Sequence, residues 1–268
     1  MPTSPEAAAR GAMSDRMDLA GRLFAASSVI VLTAGIFMAF VYAPADRVQG
    51  DAQRILYVHA PMAWLAYMSA AFLFVGSVGY LWKRSATMDR LARSSAELGL
   101  LFTSLTLLTG SIWGRPIWGA WWEWDARLTT TLILWFIYLG YYMIRAYAGD
   151  RERGARHAAV LGIVGMVDVP IIHMSVTWWR SLHPEPVVIN MAGPNLPNSM
   201  LATLLVCFIG FMLLFGHLII QRMQIESVKD MLEDRELSSL LRGETVSGQP
   251  RSRPDALAPD SSSLIEGA

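Results

Sequence analysis

Tryptophan and histidine are the residues of this chain whose types and spacing point to chemistry. The chain has ten Trp, and five of them, Trp113, Trp118, Trp121, Trp122 and Trp124, fall within twelve residues. Trp178 and Trp179 form a second group. An indole is a large flat apolar face, so a dense group of indoles can stack a planar ligand and keep water from it. The five His are His59, His157, His173, His183 and His217. Neutral imidazole is a common metal ligand, although a lone His is more often packed or solvated. His59 stands in Tyr57-Val58-His59-Ala60-Pro61, and His183 in Arg180-Ser181-Leu182-His183-Pro184. Arg54, Arg115, Arg127 and Arg180 lie near the same segments, where each could hold an anion or simply snorkel to an interface. Asp125 precedes Ala126-Arg127-Leu128-Thr129 and suits a helix N-cap, while Glu123 reads as solvated. Asp168 sits in an apolar stretch two residues before Pro170. A carboxylate there is a functional candidate by default, unless a Ser, Thr or His of a neighbouring helix pairs with it.

The elements that must hold these side chains are set by the hydrophobic pattern. Of 268 residues, 53% are hydrophobic and 16% charged, against about 25% charged in an average soluble domain. Six apolar blocks, at 23–43, 61–82, 94–113, 128–147, 158–177 and 200–221, are long enough to cross a bilayer, which takes about 20 residues. Lipid offers no hydrogen-bond partners, so each must be helical. The predicted fold is an all-α integral membrane protein with six transmembrane helices. Ala43-Pro44-Ala45 fits a signal-peptide cleavage pattern, but the first block is too long and too far along the chain, and it reads as a retained helix. Counting Lys and Arg by side gives 17 against five, which puts both termini in the cytoplasm and loops 44–60, 114–127 and 178–199 outside.

The chain thus divides into a cytoplasmic segment 1–22, a membrane domain 23–222 with a tryptophan-rich loop 113–127, and a tail 223–268. Residues 222–242 have helical periodicity, and the Ser- and Pro-rich stretch after 243 reads as disordered. Gly114, Pro116 and Gly119 argue against a long regular helix through the tryptophan run. Pro170 should kink the fifth span.

Several function classes drop out. Lys plus Arg and Asp plus Glu are both 22, so the chain is no strongly basic nucleic-acid binder. A single cysteine excludes a disulfide framework, a four-cysteine zinc site and covalent haem attachment through C-x-x-C-H. There is no G-x-x-x-x-G-K-[ST] motif, so energy from ATP must come from a partner. With no Ser–His–Asp order or paired carboxylates, the chain does not read as an enzyme.

On this topology seven of the ten Trp, together with His59, His183 and the four Arg, share the outer side. An interfacial aromatic belt should appear on both faces, and the inner face has mainly Trp82. Stacked indoles, two imidazoles and several guanidinium groups suit a planar metallo-macrocycle with acidic substituents, such as haem with its propionates. Two other readings stand beside it. One is a transporter of another small solute with a midplane site around Asp168. The other is a structural membrane partner whose Trp patch binds protein.

The run Trp121-Trp122-Glu123-Trp124-Asp125-Ala126-Arg127-Leu128-Thr129-Thr130 resembles the tryptophan-rich WWD signature of the haem-handling protein family. Six spans and short outer loops, with His59 before the second span and His183 after the fifth, are similar to its CcmC branch, the haem-export subunits of system I cytochrome c maturation. The resemblance covers about residues 20–222. It implies that haem b is presented on the periplasmic face of the bacterial inner membrane. His59 and His183 would be the axial iron ligands, and Trp113, Trp118, Trp121, Trp122, Trp124 and Asp125 the lining segment. Arg54, Arg115, Arg127 and Arg180 are the available propionate partners. The resemblance also implies partners: the haem chaperone CcmE, the ATPase CcmA, the membrane subunit CcmB and the small protein CcmD. It says nothing of Asp168, His173 or the tail.

Overall fold

The computed structural model describes residues 5–183 and 196–241. Helix α1 (Pro5–Phe37) closes in a π-helical turn (Met38–Tyr42), and a 3-10 turn (Asp51–Ile55) leads into α2 (Leu56–Lys83). Then follow α3 (Ala86–Trp118), α4 (Ala126–Tyr147), α5 (Arg151–Trp178) and α6 (Asn198–Leu241). All six are long and apolar enough to cross a membrane, and no strand forms among the described residues. The chain is a multi-pass, all-α membrane protein. The stretch predicted to be disordered after 243 and the middle of the loop 178–199 lie outside the described residues.

Some boundaries differ from the sequence expectation. Helix α1 is already helical at Pro5, so residues 5–22 of the predicted segment belong to the first span's own helix. Helix α2 begins at Leu56, which puts His59 in its first turn and not in a loop. The largest difference is in the tryptophan run. Helix α3 continues through Gly114 and Pro116 to Trp118 and stops at Gly119, where φ is 81° and the amide donates to the Arg115 carbonyl at 3.1 Å. Pro116 removes one backbone donor within the last turn, a small loss for a helix already more than 25 residues long. Gly114 is a packing residue: a Cβ there would lie 2.9 Å from the Trp118 ring. Helix α5 stays helical across Pro170, and α6 carries on through 222–241.

Helices α2, α3, α4 and α5 form the packed centre, with Leu73, Ala96, Leu134, Tyr138 and Ile172 in one buried cluster. Tyr138 packs against α3 where Gly99 leaves room, and its hydroxyl donates to the Ala66 carbonyl at 2.8 Å. Helix α6 sets Phe211 and Phe215 against Leu65 and Phe102. It also meets α1 at Gly35, where an added Cβ would be 2.7 Å from the Cys207 sulfur. Lipid supplies no hydrophobic drive between helices, so close backbone approach at small residues takes its place.

At the end of α3 away from the tryptophans, the helices are joined by charge. Arg145 of α4 donates to both oxygens of Asp89, at 2.7 and 3.0 Å. Arg93 reaches Asp89 at 3.3 Å and Glu226 of α6 at 2.7 Å. Arg222 bonds Glu97 and lies 3.3 Å from Glu226. Glu97, near one end of α3, is thus part of a network. Sixteen residues separate it from Trp113, about 24 Å along the helix at 1.5 Å per residue.

Candidate functional site

At the tryptophan end the first three turns of α2, the last three turns of α3, the start of α4 and the end of α5 leave a cavity of about 320 Å³. That is the lower end of the range for small-molecule pockets, roughly 300–1,000 Å³. Helix periodicity selects its walls. On α2 it is His59, Ala63 and Tyr67, four apart; on α3 it is Thr106, Gly110, Trp113 and Ile117, then Gly114 and Trp118 one step round. Trp64 of α2, Trp122, Arg127, Thr131, His173, His183 and Leu204 of α6 also line it, with Gln49, Gln53 and Asp46 from the segment after α1.

Each of the two predicted imidazoles meets an indole of α3. The His59 ring stands edge-on to Trp113 at 5.6 Å, and His183 is 6.3 Å from Trp118. A Cβ at Gly110 would come within 3.1 Å of His59 Cε1, so only glycine leaves the ring its place. His59 Nδ1 is 3.0 Å from the Thr109 hydroxyl. The Trp113 indole donates to Gln49 Oε1 at 3.0 Å. Gln49 is held in turn by Asp46, whose Oδ1 accepts from the amides of Val48 and Gln49 at 2.8 Å. Those amide bonds hold the Asp46 carboxyl below its ordinary value.

Arg127 is the one of the four sequence-predicted arginines that faces the cavity. Its guanidinium donates to His183 Nδ1 at 3.2 Å and to the His173 carbonyl at 3.1 Å. Arg54 turns away, bonding Asp51 at 2.9 Å, the Ala39 carbonyl, and the Ala43 carbonyl at 3.1 Å. It thereby closes the carbonyls left over by the π-helical turn of α1. Arg115 donates to the Gly119 carbonyl, and Arg180 is exposed and outside the cavity wall.

The tryptophans divide too. Trp113, Trp118 and Trp122 line the cavity. Trp121 is 60% and Trp124 76% exposed, and Trp178 and Trp179 are exposed as well. Past Gly119 the chain is no longer helical, so neighbouring indoles fall on opposite sides.

Asp125 is buried beside the cavity, not in its wall. One oxygen caps α4, accepting from the amides of Arg127 at 2.8 Å and Leu128 at 3.4 Å. The other accepts from the Leu182 amide at 2.9 Å, next to His183. The Ser181 hydroxyl also bonds this carboxylate, and Ser181 Oγ accepts from the His183 amide at 3.1 Å. Burial pushes the Asp125 carboxyl up, but the bonds from Ser181, Arg127, Leu182 and Leu128 outweigh it and hold the group below its usual 3.8.

His173, Tyr67, Thr106 and Gln49 are cavity residues that the sequence reading missed or left open, as is the Trp64 indole of α2. The signal was there for three of them: two four-residue steps from His59 reach Tyr67, a seven-residue step back from Trp113 reaches Thr106, and His173 lies on the outer half of its span. Gln49 had none, because it comes from a non-helical segment. Asp168 is buried in α5 outside this wall, with one carboxylate oxygen lacking a hydrogen-bond partner. His157 is exposed, and His217 bonds the Gly21 carbonyl at 2.9 Å, tying α6 to α1.

Three residues of the cavity wall have buried side-chain polar atoms without a partner: the Trp122 indole N–H, Arg127 Nε, and the amide of Gln53. Unmet buried donors are costly, and an anionic ligand group that reached the Trp122 and Arg127 donors would satisfy them. Among the described residues no three His, Cys, Asp or Glu side chains converge as a metal-ion site.

Fold and site together define a six-span membrane protein with an aromatic-walled imidazole pocket at one end of its helices. The sequence profile of the heme exporter protein C family, CcmC, matches residues 7–238. Heme exporter protein C of Bradyrhizobium diazoefficiens is 41% identical over 218 residues, 81% of this chain and 82% of that protein. Its namesake in Haemophilus influenzae is 40% identical over 210 residues, 78% of this chain and 85% of that protein. A putative cytochrome c biosynthesis ccmC-like mitochondrial protein of Arabidopsis thaliana is 39% identical over 188 residues, 70% and 71% of the two chains. The chain belongs to the heme exporter protein C family.

Proposed function

We propose that this chain serves haem export for cytochrome c maturation by holding haem b in the cavity of His59 and His183. Family membership supports the haem and cytochrome c role. The observation that carries the site is the convergence in one cavity of His59, His183, four indoles and Arg127. In this reading the imidazoles supply axial bonds to iron, Trp113, Trp118 and Trp122 enclose the macrocycle, and Arg127 with the Trp122 N–H receives a propionate. Trp121 and Trp124 face outward, where the acceptor of the haem would dock. The basic residues of the opposite segments support an inner-membrane orientation with both termini in the cytoplasm and the cavity facing the periplasm. We assign the acceptor as the chaperone CcmE, and CcmA, CcmB and CcmD as the companions that supply ATP hydrolysis and complete the complex. The chain itself is a binding subunit and not an enzyme.

The test is the absorption spectrum of the protein purified in detergent with its partners and adequate haem. A Soret band is expected, and His59→Ala and His183→Ala should each reduce haem retention or change the spin state. A wild-type protein without a Soret band would sink the reading, and unchanged spectra in both variants would remove the two histidines from the iron.

A further inference from the structure

Hydrogen bonding makes the two imidazoles unequal. Thr109 Oγ1 lies 2.7 Å from the Leu105 carbonyl, a distance that requires the hydroxyl hydrogen to point there. A hydroxyl has one hydrogen, so toward His59, 3.0 Å away, Thr109 can only accept. His59 therefore carries its proton on Nδ1 and presents the bare lone pair of Nε2. This is the arrangement in which an imidazole is ready to ligate, its second nitrogen held by a hydrogen-bond acceptor.

His183 is in the opposite state. Arg127 can only donate, so the Nδ1 of His183, 3.2 Å away, is an acceptor and the ring proton sits on Nε2. Ligation through Nδ1 needs the lone pair that Arg127 occupies. Ligation through Nε2 needs the proton moved to Nδ1, where it would face the N–H groups of Arg127. Either route requires Arg127 to let go. The same side chain lines the cavity and carries a buried Nε–H without an acceptor, so an anion that reaches it competes with His183 for the guanidinium.

The structure assigns Thr109 and Arg127 as positioning residues that order ligation: His59 is the standing ligand, and His183 becomes one only when Arg127 is drawn onto a ligand carboxylate. The inference rests on the haem reading of the cavity and adds to it a carboxylate requirement at His183. Loss of that carboxylate contact would return Arg127 to His183, so the His183 bond is the one released first when haem is passed on.

The experiment uses the purified full chain in detergent, titrated with ferric haemin and with haemin dimethyl ester, which has the same macrocycle without free carboxylates. Absorption and electron paramagnetic resonance report the spin state. Haemin is expected to give a low-spin, two-imidazole spectrum, and the dimethyl ester the high-spin spectrum that His183→Ala gives with haemin. Arg127→Met should let the ester become low-spin as well. Thr109→Val should lower haemin retention by about ten- to a hundredfold, the usual cost of losing such a partner, and Thr109→Ser should restore it. Identical low-spin spectra for haemin and ester in the wild type would overturn the inference and leave the haem reading standing. Failure of both compounds to bind the wild type would overturn both.

Discussion

Asp125 offers the sharpest test of how the cavity is held together, because one conservative substitution separates its two jobs. Its first oxygen caps α4 and its second receives the Leu182 amide at 2.9 Å and the Ser181 hydroxyl. Asn is as good an N-cap as Asp, and in Asp125→Asn the side-chain carbonyl oxygen would stay on the Arg127 and Leu128 amides. The other end of the new side chain would be an NH2, which cannot accept from Leu182. Asp125→Asn therefore keeps the helix start and releases the segment that carries His183. A hydrogen bond to a charged group contributes about 1.5–3 kcal/mol, and each 1.4 kcal/mol is about a factor of ten. The substitution should weaken haem retention by about ten- to a hundredfold, while Asp125→Ala loses a further ~1 kcal/mol of thermal stability with the cap. The assay is Soret titration beside thermal unfolding of the same preparations. Wild-type retention in Asp125→Asn would refute the argument, since the cap alone would then explain the residue. The pH dependence has a definite sign. The folded-state value lies below the usual 3.8, so the stabilisation from the carboxylate is complete above that value and is lost as pH falls through the lower folded-state one. Asp125→Asn should be flat across that window.

Three further outcomes follow from the geometry. Glu226→Gln leaves Arg93 and Arg222 short of a buried counter-charge, and breaking one partner of such a network typically costs about 3–5 kcal/mol; thermal unfolding in detergent should fall, with no change in the Soret maximum of the folded fraction. Gly110→Ala forces the His59 ring to move from a 3.1 Å approach, so haem retention should drop without a comparable fall in melting temperature. Trp122→Ala should weaken haem retention, whereas Trp124→Ala, exposed and outside the wall, should leave it unchanged and show its effect only when haem is transferred to the acceptor.

The class of fold was legible because the membrane makes a simple demand. Long apolar blocks must be helices when lipid offers no hydrogen bonds, so six spans could be read from the sequence alone. The tryptophan run and the two histidines were legible as types because dense indoles and imidazoles are out of place at a plain interface. Gly114 and Pro116 misled as helix breakers, because one lost backbone bond near the end of a long helix is minor, and Gly114 serves the Trp118 ring instead.

What only the tertiary structure decided is which of these groups meet. The sequence puts four arginines near the site, and packing selects Arg127 because the start of α4 lies against His173 and His183 while Arg54 is taken up by the end of α1. It likewise sorts five indoles into three inward and two outward, according to where α3 ends. Composition and periodicity are local and survive in one dimension. Hydrogen-bond direction, which makes His59 and His183 unequal, depends on Thr109, 50 residues from one, and Arg127, 56 residues from the other. Contacts at such separations are properties of the folded bundle, set by how its helices cross.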